Sequence, residues 1–340
     1  MLLASLRSSA LRGLRSSSPS FVSPLGAGRR AMSQYTLSSY IVTPAELNTA
    51  LQKNVHSKLS TAPKVIPLCA SWFLPNDGRN GLDTFKECRI PHARFFDLDE
   101  VKDPDSIYPH MLPSAAQFAK AMGRLGIRRD DSVVVYDTKE LGLFSAPRVG
   151  WTLQTFGHPN VHVLNNFRKW VDESYPTESG IEAHPTEVEY PVPQLDQAKV
   201  IAFEEVKEIA KELGKEGAEE VQILDARSLG RWKGTDPEPR EGVSSGHIPY
   251  SISVPLPELL DPNDKTLLPA SKLQEVFKSK GVDPSKPIVS SCGTGVNAAV
   301  IDAALTEAGF PLQNRRVYDG SWTEWAQRVH PSESLIRKTE

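Results

Sequence analysis

The chain is poor in cysteine: Cys69, Cys88 and Cys292 are the only three in 340 residues. So few sulfurs argue against a disulfide framework, and none of the three has a second cysteine at metal-ligand spacing. A reducing setting is expected, in which any chemically special cysteine acts singly. The sequence also lacks a run of about 18 apolar residues, so no membrane-spanning helix is expected. Positive charge is not in excess, since 39 Lys and Arg against 42 Asp and Glu give a formal charge of -3. Without a basic stripe interleaved with aromatics, nucleic acid is not an expected partner, and neither is a membrane.

A further absence is local. No acidic residue precedes Glu46, while the first thirty residues hold Arg7, Arg12, Arg15, Arg29 and Arg30 and eight serines. Leucines spaced to form a basic amphipathic helix complete the pattern of a mitochondrial transit peptide over residues 1–34, without a fixed fold of its own. A disordered basic tail is the alternative. Met32, just after Arg29 and Arg30, offers a start for a shorter cytoplasmic form.

The chain as a whole is globular in composition, 39% hydrophobic and 24% charged, and long enough for two domains that each bury a core. It also repeats itself. Cys69 in Pro-Leu-Cys-Ala-Ser-Trp parallels Asp225 in Ile-Leu-Asp-Ala-Arg-Ser, an offset of 156. Ile90-Pro91 with Phe95-Phe96 parallels Ile248-Pro249 with Val254-Pro255 at 158, and Val133 to Asp137 parallels Ile288 to Cys292 at 155. Val161 to Leu164, ending at Trp170, parallels Arg316 to Asp319, ending at Trp325, again at 155.

Within each half, short β-branched runs alternate with helical patterns, which predicts an α/β fold with a mostly parallel sheet flanked by helices. Val133–Tyr136 and Pro287–Ser291 read as buried central strands. Helices are expected over Val296–Ala308, closed by Gly309, and over Lys272–Lys280, closed by Gly281 and Pro284. Four prolines and several acids over 176–198 read as a linker. The predicted organisation is a leader at 1–34, a first domain at 35–175, the linker at 176–198, a second domain at 199–330 and a tail at 331–340.

The chemistry centres on Cys292. It stands at a strand end, in the loop Cys292-Gly293-Thr294-Gly295-Val296, at the start of a helix. Inward-pointing backbone N–H groups and the helix N-terminus would stabilise an anion there, whether a thiolate or a persulfide. A tyrosine or dual-specificity phosphatase needs arginine six residues after its cysteine to clamp phosphate, and here that residue is Ala298. No signature of a papain-like protease surrounds Cys292. A buried cysteine acting as a small hydrophobe is the bland reading.

Four motifs make the pattern specific. Cys-Gly-Thr-Gly-Val at 292–296, Tyr-Asp-Gly-Ser-Trp at 318–322, His-Met-Leu-Pro at 110–113, and Asp-Ala-Arg-Ser with Gly-Thr-Asp-Pro-Glu-Pro-Arg within 225–240 resemble the 3-mercaptopyruvate sulfurtransferases. These are proteins of two tandem rhodanese-like domains, and the resemblance runs from about Val65 to Trp325. It implies a catalytically silent first half, with Asp137 where the second half has Cys292. It implies that Asp99 and His110 join the Thr294 hydroxyl in a relay beside the cysteine. It further implies that Arg231 and Arg240 hold the substrate carboxylate and keto oxygen, and that Gly293, Gly295 and Val296 complete the substrate cradle.

Sulfur would pass from 3-mercaptopyruvate through a Cys292 persulfide to thioredoxin, a small thiol, cyanide or a sulfur-carrier protein. Pyruvate would be released, and no metal or organic cofactor is required. Thiosulfate sulfurtransferases share the fold but carry Arg and Lys after the cysteine. The neutral Gly293 and Thr294 suit an α-keto acid thiol better, Thr294 standing where serine is frequent. A low-turnover sulfur-relay or binding module is the alternative from another class.

Residue type alone says less. Without the resemblance, His110 in a proline-flanked loop reads as a solvated or structural residue, and Arg231 and Arg240 read as surface ion pairs worth under about 1 kcal/mol. Arg227 reads as structural, paired with a carboxylate, and Cys69 and Cys88 as packing residues. Cys69 replaces an aspartate usual in the family, and His92 and Tyr250 replace a glycine usual after Ile-Pro. The last two departures bear on local loop geometry.

Overall fold

The computed structural model describes residues 37–55, 60–181 and 184–339. The expected transit peptide and Met32 lie outside the described residues. The first sheet comprises β1 (Ile41–Val42), β2 (Val65–Cys69), β3 (Arg94–Phe95), β4 (Ser132–Tyr136) and β5 (Val161–Leu164). A second comprises β6 (Val200–Ile201), β7 (Gln222–Asp225), β8 (Ile252–Ser253), β9 (Ile288–Ser291) and β10 (Arg315–Tyr318). Their spatial orders are β1-β5-β4-β2-β3 and β6-β10-β9-β7-β8, the same order displaced by five strands. Every pairing is parallel. A parallel sheet needs cover on both faces, which is why β4 and β9 are buried at every residue.

The repeat seen in sequence is a repeat of hydrogen bonds. The Ala70 N–H donates to the Tyr136 carbonyl (2.9 Å) and that of Ala226 to Ser291 (3.0 Å). Phe96 donates to Cys69 and Val254 to Asp225, both at 2.8 Å. The paired indoles Trp170 and Trp325 are fully buried, and each donates its Nε1–H to a carbonyl at 2.9 Å, of Pro176 and Leu335 respectively.

Helix Ala146–Thr155 follows β4, helix Ala298–Glu307 follows β9, and the two pack on each other. Alanines at 298, 299 and 304 permit that approach, and one apolar core runs through both halves, joining Val149 and Leu153 to Ile301 and Leu305. The far face of each sheet closes a core of its own, around Tyr136 and Trp170 in one half and Tyr318 and Trp325 in the other.

The helix after Cys292 begins at Ala298 rather than at Val296. Gly295, at φ +77°, keeps the chain out of helical geometry, and Asn297 is the N-cap. Gly309 still ends it with a left-handed residue at φ +81°. The other expected helix spans Ala270–Ser279, starting two residues early because Pro269 serves as its N-cap. His92 and Tyr250, which replace glycine, sit at φ +60° and +63°. The turn after Ile-Pro therefore keeps its left-handed geometry without glycine, at roughly 1 kcal/mol per position.

The segment between the sheets is tied to the first half through Tyr190, which packs edge-on to Phe118. His158 Nε2–H donates to the Asp131 carbonyl (3.0 Å), and Nδ1 accepts the Tyr190 hydroxyl proton (2.9 Å). Burial pushes the His158 pKa down to about 4, below the ordinary unfolded value of about 6.5. On acidification the unfolded chain therefore takes up the proton first. Stability present above about pH 6.5 is lost as pH falls toward 4, by up to about 3 kcal/mol from this residue. Burial depresses His110, His162 and His247 in the same direction. Urea unfolding of His158→Gln between about pH 7 and 4.5 should show a shallower decline than the wild type; an unchanged slope contradicts the assignment.

Candidate active site

Cys292 follows the last residue of β9 and is buried at 3% exposure. Its N–H donates to Ser321 Oγ (3.1 Å), and that hydroxyl donates to the Tyr318 carbonyl (2.7 Å). Ser321 takes a left-handed φ of +49° to do so. The Cys292 carbonyl accepts from the Trp322 N–H (2.9 Å). That of Gly293 accepts from the Thr323 N–H (2.9 Å) and hydroxyl (2.7 Å). The Tyr-Asp-Gly-Ser-Trp segment thus grips the carbonyl edge of the cysteine loop. Among the described residues, the N–H groups of Gly293 to Asn297 have no hydrogen-bond partner. A row of unpaired N–H groups at a helix N-terminus is a site for an anion.

The first half shows the same device already filled. Asp137, the counterpart of Cys292, is buried, and its carboxylate accepts from the N–H groups of Phe144, Ser145 and Ala146 at 2.8–3.1 Å. The Ser145 hydroxyl adds a bond of 2.5 Å. Burial raises the Asp137 pKa to about 6, with those hydrogen bonds opposing the rise. A carboxylate on a side chain therefore takes the place that an anionic sulfur would take beyond Cys292.

Across the site stand residues of the first half. The His110 ring is buried, with Nε2 at 3.2 Å from Asp99 Oδ1 and Nδ1 at 3.1 Å from Thr294 Oγ1. A carboxylate can only accept, so Nε2 carries the hydrogen and Nδ1 of the neutral ring accepts from the threonine hydroxyl. Burial holds the His110 pKa below its ordinary value, Arg148 and Arg240 push the same way, and the Asp99 hydrogen bond and charge oppose them. Asp99 is held low, chiefly by its hydrogen bond to His110. Trp72 fixes both: its Nε1–H donates to Asp99 Oδ2 (2.9 Å), and its ring meets His110 edge-on at 4.7 Å.

The expected arginines lie on the second half. Arg231, in helix Leu229–Lys233, donates Nε–H to Glu238 Oε2 (3.0 Å), with a second bond from Nη2. Glu238 also accepts from Arg227 Nη1 (2.8 Å). Arg227 is itself clamped to Asp225 (2.6 Å) and stacked over Trp322 at 4.1 Å, the structural pairing its position implied. The Arg231 guanidinium is therefore itself held by Glu238, and a Cβ on Gly293 would come within 3.2 Å of its Nη2. Arg240 is half-buried, which lowers its pKa, and it lies within electrostatic reach of Asp99, Cys292, Arg231 and Glu238.

The structure thus brings Cys292, Gly293, Thr294, Gly295, His110, Asp99, Arg231 and Arg240 to one place. Val296 sends its side chain into the shared apolar core and offers the loop only its backbone. Cys69 is packing material, its thiol pushed up to about 12 by burial, and Cys88 caps helix Gly81–Glu87. No group of three or more His, Cys, Asp or Glu placed to hold a metal ion occurs among the described residues, and no helix among them is long and apolar enough to cross a membrane. Sequence reasoning missed Trp72, Arg148, Glu238, Asp319 and Ser321. A signal existed for Arg148, the one charge in the otherwise apolar and polar-neutral helix Ala146–Thr155.

The two loop glycines differ in what they permit. At Gly295 a Cβ would lie 2.5 Å from the Asp319 carbonyl oxygen and 2.8 Å from Arg148 Nη1, at φ +77°. Gly295→Ala should cost about 2–4 kcal/mol, whereas Gly293→Ala, which meets only the tip of Arg231, should cost under about 1 kcal/mol. Denaturant unfolding of the two variants distinguishes the positions, and equal costs contradict the loop geometry.

Known proteins share this arrangement. A profile of the rhodanese-like domain matches residues 205–328. Thiosulfate sulfurtransferase TUM1 of Saccharomyces cerevisiae is 40% identical over 280 residues, covering 79% of this chain and 90% of its own length. The 3-mercaptopyruvate sulfurtransferase of Homo sapiens is 39% identical over 269 residues, covering 79% and 87%. Among solved structures, the sub-stoichiometric sulfur transferase subunit of yeast mitochondrial complex I matches with a TM-score of 0.76 at 39% identity, covering 89% of this chain and 100% of that one. With two parallel α/β sheets in one repeated order and relatives of this identity over most of its length, the chain belongs to the 3-mercaptopyruvate sulfurtransferase family of tandem-rhodanese enzymes.

Proposed function

We propose that this sulfurtransferase takes sulfur from 3-mercaptopyruvate, carries it as a persulfide on Cys292, and gives it to a thiol, cyanide or thioredoxin-type acceptor. The observation that carries the reading is the open row of N–H groups after Cys292, set against the other half, where the Asp137 carboxylate fills the N–H groups at the start of the following helix. In this reading residues 35–175 form the silent domain and 199–330 the catalytic one, joined by 176–198.

In the first half-reaction the Cys292 thiolate attacks the sulfur of 3-mercaptopyruvate. An S–S bond forms, the C–S bond breaks, and its electron pair leaves with the carbon as pyruvate enolate. The enolate carbon then takes a proton, so the thiol hydrogen of the donor ends as a methyl hydrogen of pyruvate. Thr294, hydrogen-bonded to His110 and through it to Asp99, is placed to pass that proton. Arg231 and Arg240 hold the carboxylate and keto oxygen, and the N–H row holds the persulfide anion. An acceptor nucleophile removes the outer sulfur and restores Cys292.

The glycine after Cys292 favours the keto-acid donor. A long cationic side chain there would displace Arg231, whose guanidinium lies against that position. Thiosulfate remains the second reading because a relative of 40% identity bears that name. The family resemblance, the basic leader and the mitochondrial neighbour support a mitochondrial location, with a cytoplasmic form from Met32.

Two measurements test the reading. kcat/KM for 3-mercaptopyruvate should exceed that for thiosulfate by at least about a hundredfold, some 2.7 kcal/mol of differential transition-state binding, and Cys292→Ser should abolish both. Parity of the two donors overturns the donor assignment. On the pH profile of kcat/KM, the rate should fall as acid protonates His110, and Asp99→Asn, which removes the group that raises the His110 pKa, should move that acid limb to lower pH. A shift to higher pH contradicts the relay.

A further inference from the structure

Arg148 belongs to the silent half, yet every partner of its guanidinium lies at the active site or in the protein interior. The side chain is buried at 1% exposure and stacks over Trp151 at 4.8 Å. Nη2 donates to the carbonyl of His110 (2.5 Å) and to Asp319 Oδ1 (2.6 Å). The other Asp319 oxygen accepts from the N–H of Leu112 (2.8 Å). One ion pair therefore holds the two peptide groups that flank Met111, directly after the relay histidine. His110 needs holding, because it stands at φ +63°, a left-handed conformation unfavourable for a residue with a Cβ. Arg148 Nη1 and the Asp319 backbone carbonyl also lie against Gly295, near enough that a Cβ there would collide with both.

We propose that Arg148 and Asp319 are positioning residues of the reaction, an inter-half clamp that sets the His110 backbone and the Cys292 loop at the spacing the relay requires. The clamp joins three segments distant in sequence: the His110 loop, helix Ala146–Thr155 and the segment after β10. Neither residue has to touch substrate. Arg148 acts through the His110 carbonyl, and Asp319 through Leu112 and Arg148. Both bonds leave the one nitrogen Nη2, which stands one bond farther from the backbone than a lysine Nζ, so a lysine at 148 falls short of the His110 carbonyl and Asp319. The inference rests on the reading of His110 as a member of the proton relay.

The test is a double-mutant cycle read in a single turnover. Persulfide formation on Cys292 is timed by rapid quench and intact-protein mass, with 3-mercaptopyruvate as donor, for the wild type, Arg148→Lys, His110→Ala and the double variant. Arg148→Lys should slow the step at saturating donor by at least about tenfold, with the donor concentration for half-maximal rate changed less than about twofold, since Arg231 and Arg240 are untouched. In the His110→Ala background the same change should cost less than about twofold. A slowing of equal size in both backgrounds, or none in either, overturns the proposal. A His110→Ala rate equal to wild type overturns the relay reading itself, and the clamp with it. Should Arg148→Lys fail to fold, Asp319→Asn, which keeps the side-chain shape and removes its charge, takes its place in the same cycle with the same expected result.

Discussion

An anion buried at a strand end has to be held by something, and in this fold the holder is backbone. Both halves place a loop and a helix N-terminus after the central strand, so both offer converging N–H groups. The first half satisfies them with its own carboxylate, Asp137, and the site is closed. In the second half Cys292 brings a short side chain ending in one sulfur, and the donors from Gly293 to Asn297 stay open. In the proposed reaction that row is where the anion of a persulfide on Cys292 is held. The halves differ at the matched positions 137 and 292, 155 apart, and in the loop that follows, since one helix begins at Ala146 and the other at Ala298.

Asymmetry also explains why two halves are needed. In the proposed reaction the cradle stabilises an anion but supplies no proton, and among the described residues no histidine of the second half is hydrogen-bonded to the cysteine loop. That group comes from the first half as His110, braced by Asp99 and Trp72 and bonded to Thr294. Helices Ala146–Thr155 and Ala298–Glu307 pack into a common apolar core, and beside it His110 of one half meets Thr294 of the other at 3.1 Å. The buried Arg148–Asp319 pair lies within that contact. Breaking one partner of such a pair leaves an unpaired buried charge, so the contact specifies alignment as well as adhesion.

Much of this was legible in the residues. The repeat was readable because buried parallel strands demand β-branched runs at fixed positions, and Val133–Tyr136 and Ile288–Ser291 retain them. The place of Cys292, in a glycine-containing loop between a buried strand and a helix, was readable from the order of residue types alone. Helix starts were less so. Val296 has the apolar character of the helix beyond it, and only the left-handed Gly295 and the cap at Asn297 decide that the helix begins later. His92 and Tyr250 looked like departures that would alter a turn, yet the tertiary context imposes the left-handed geometry on residues that do not prefer it.

The bracing residues were hidden for a different reason. Glu238 sits in an acid- and proline-rich stretch typical of surface, and nothing local reveals that it joins Arg227 to Arg231. Partners far apart in sequence, such as Arg148 and Asp319, become visible only once the chain is folded. The claim on which the account turns is that Cys292 alone carries the transferred sulfur. Peptide mapping by mass spectrometry after a single turnover with 3-mercaptopyruvate tests it directly. The account predicts one added sulfur atom on the Cys292 peptide, removable by dithiothreitol, and none on the peptides of Cys69 or Cys88. Pyruvate released with Cys292 unmodified, or the sulfur found on either other cysteine, would contradict it.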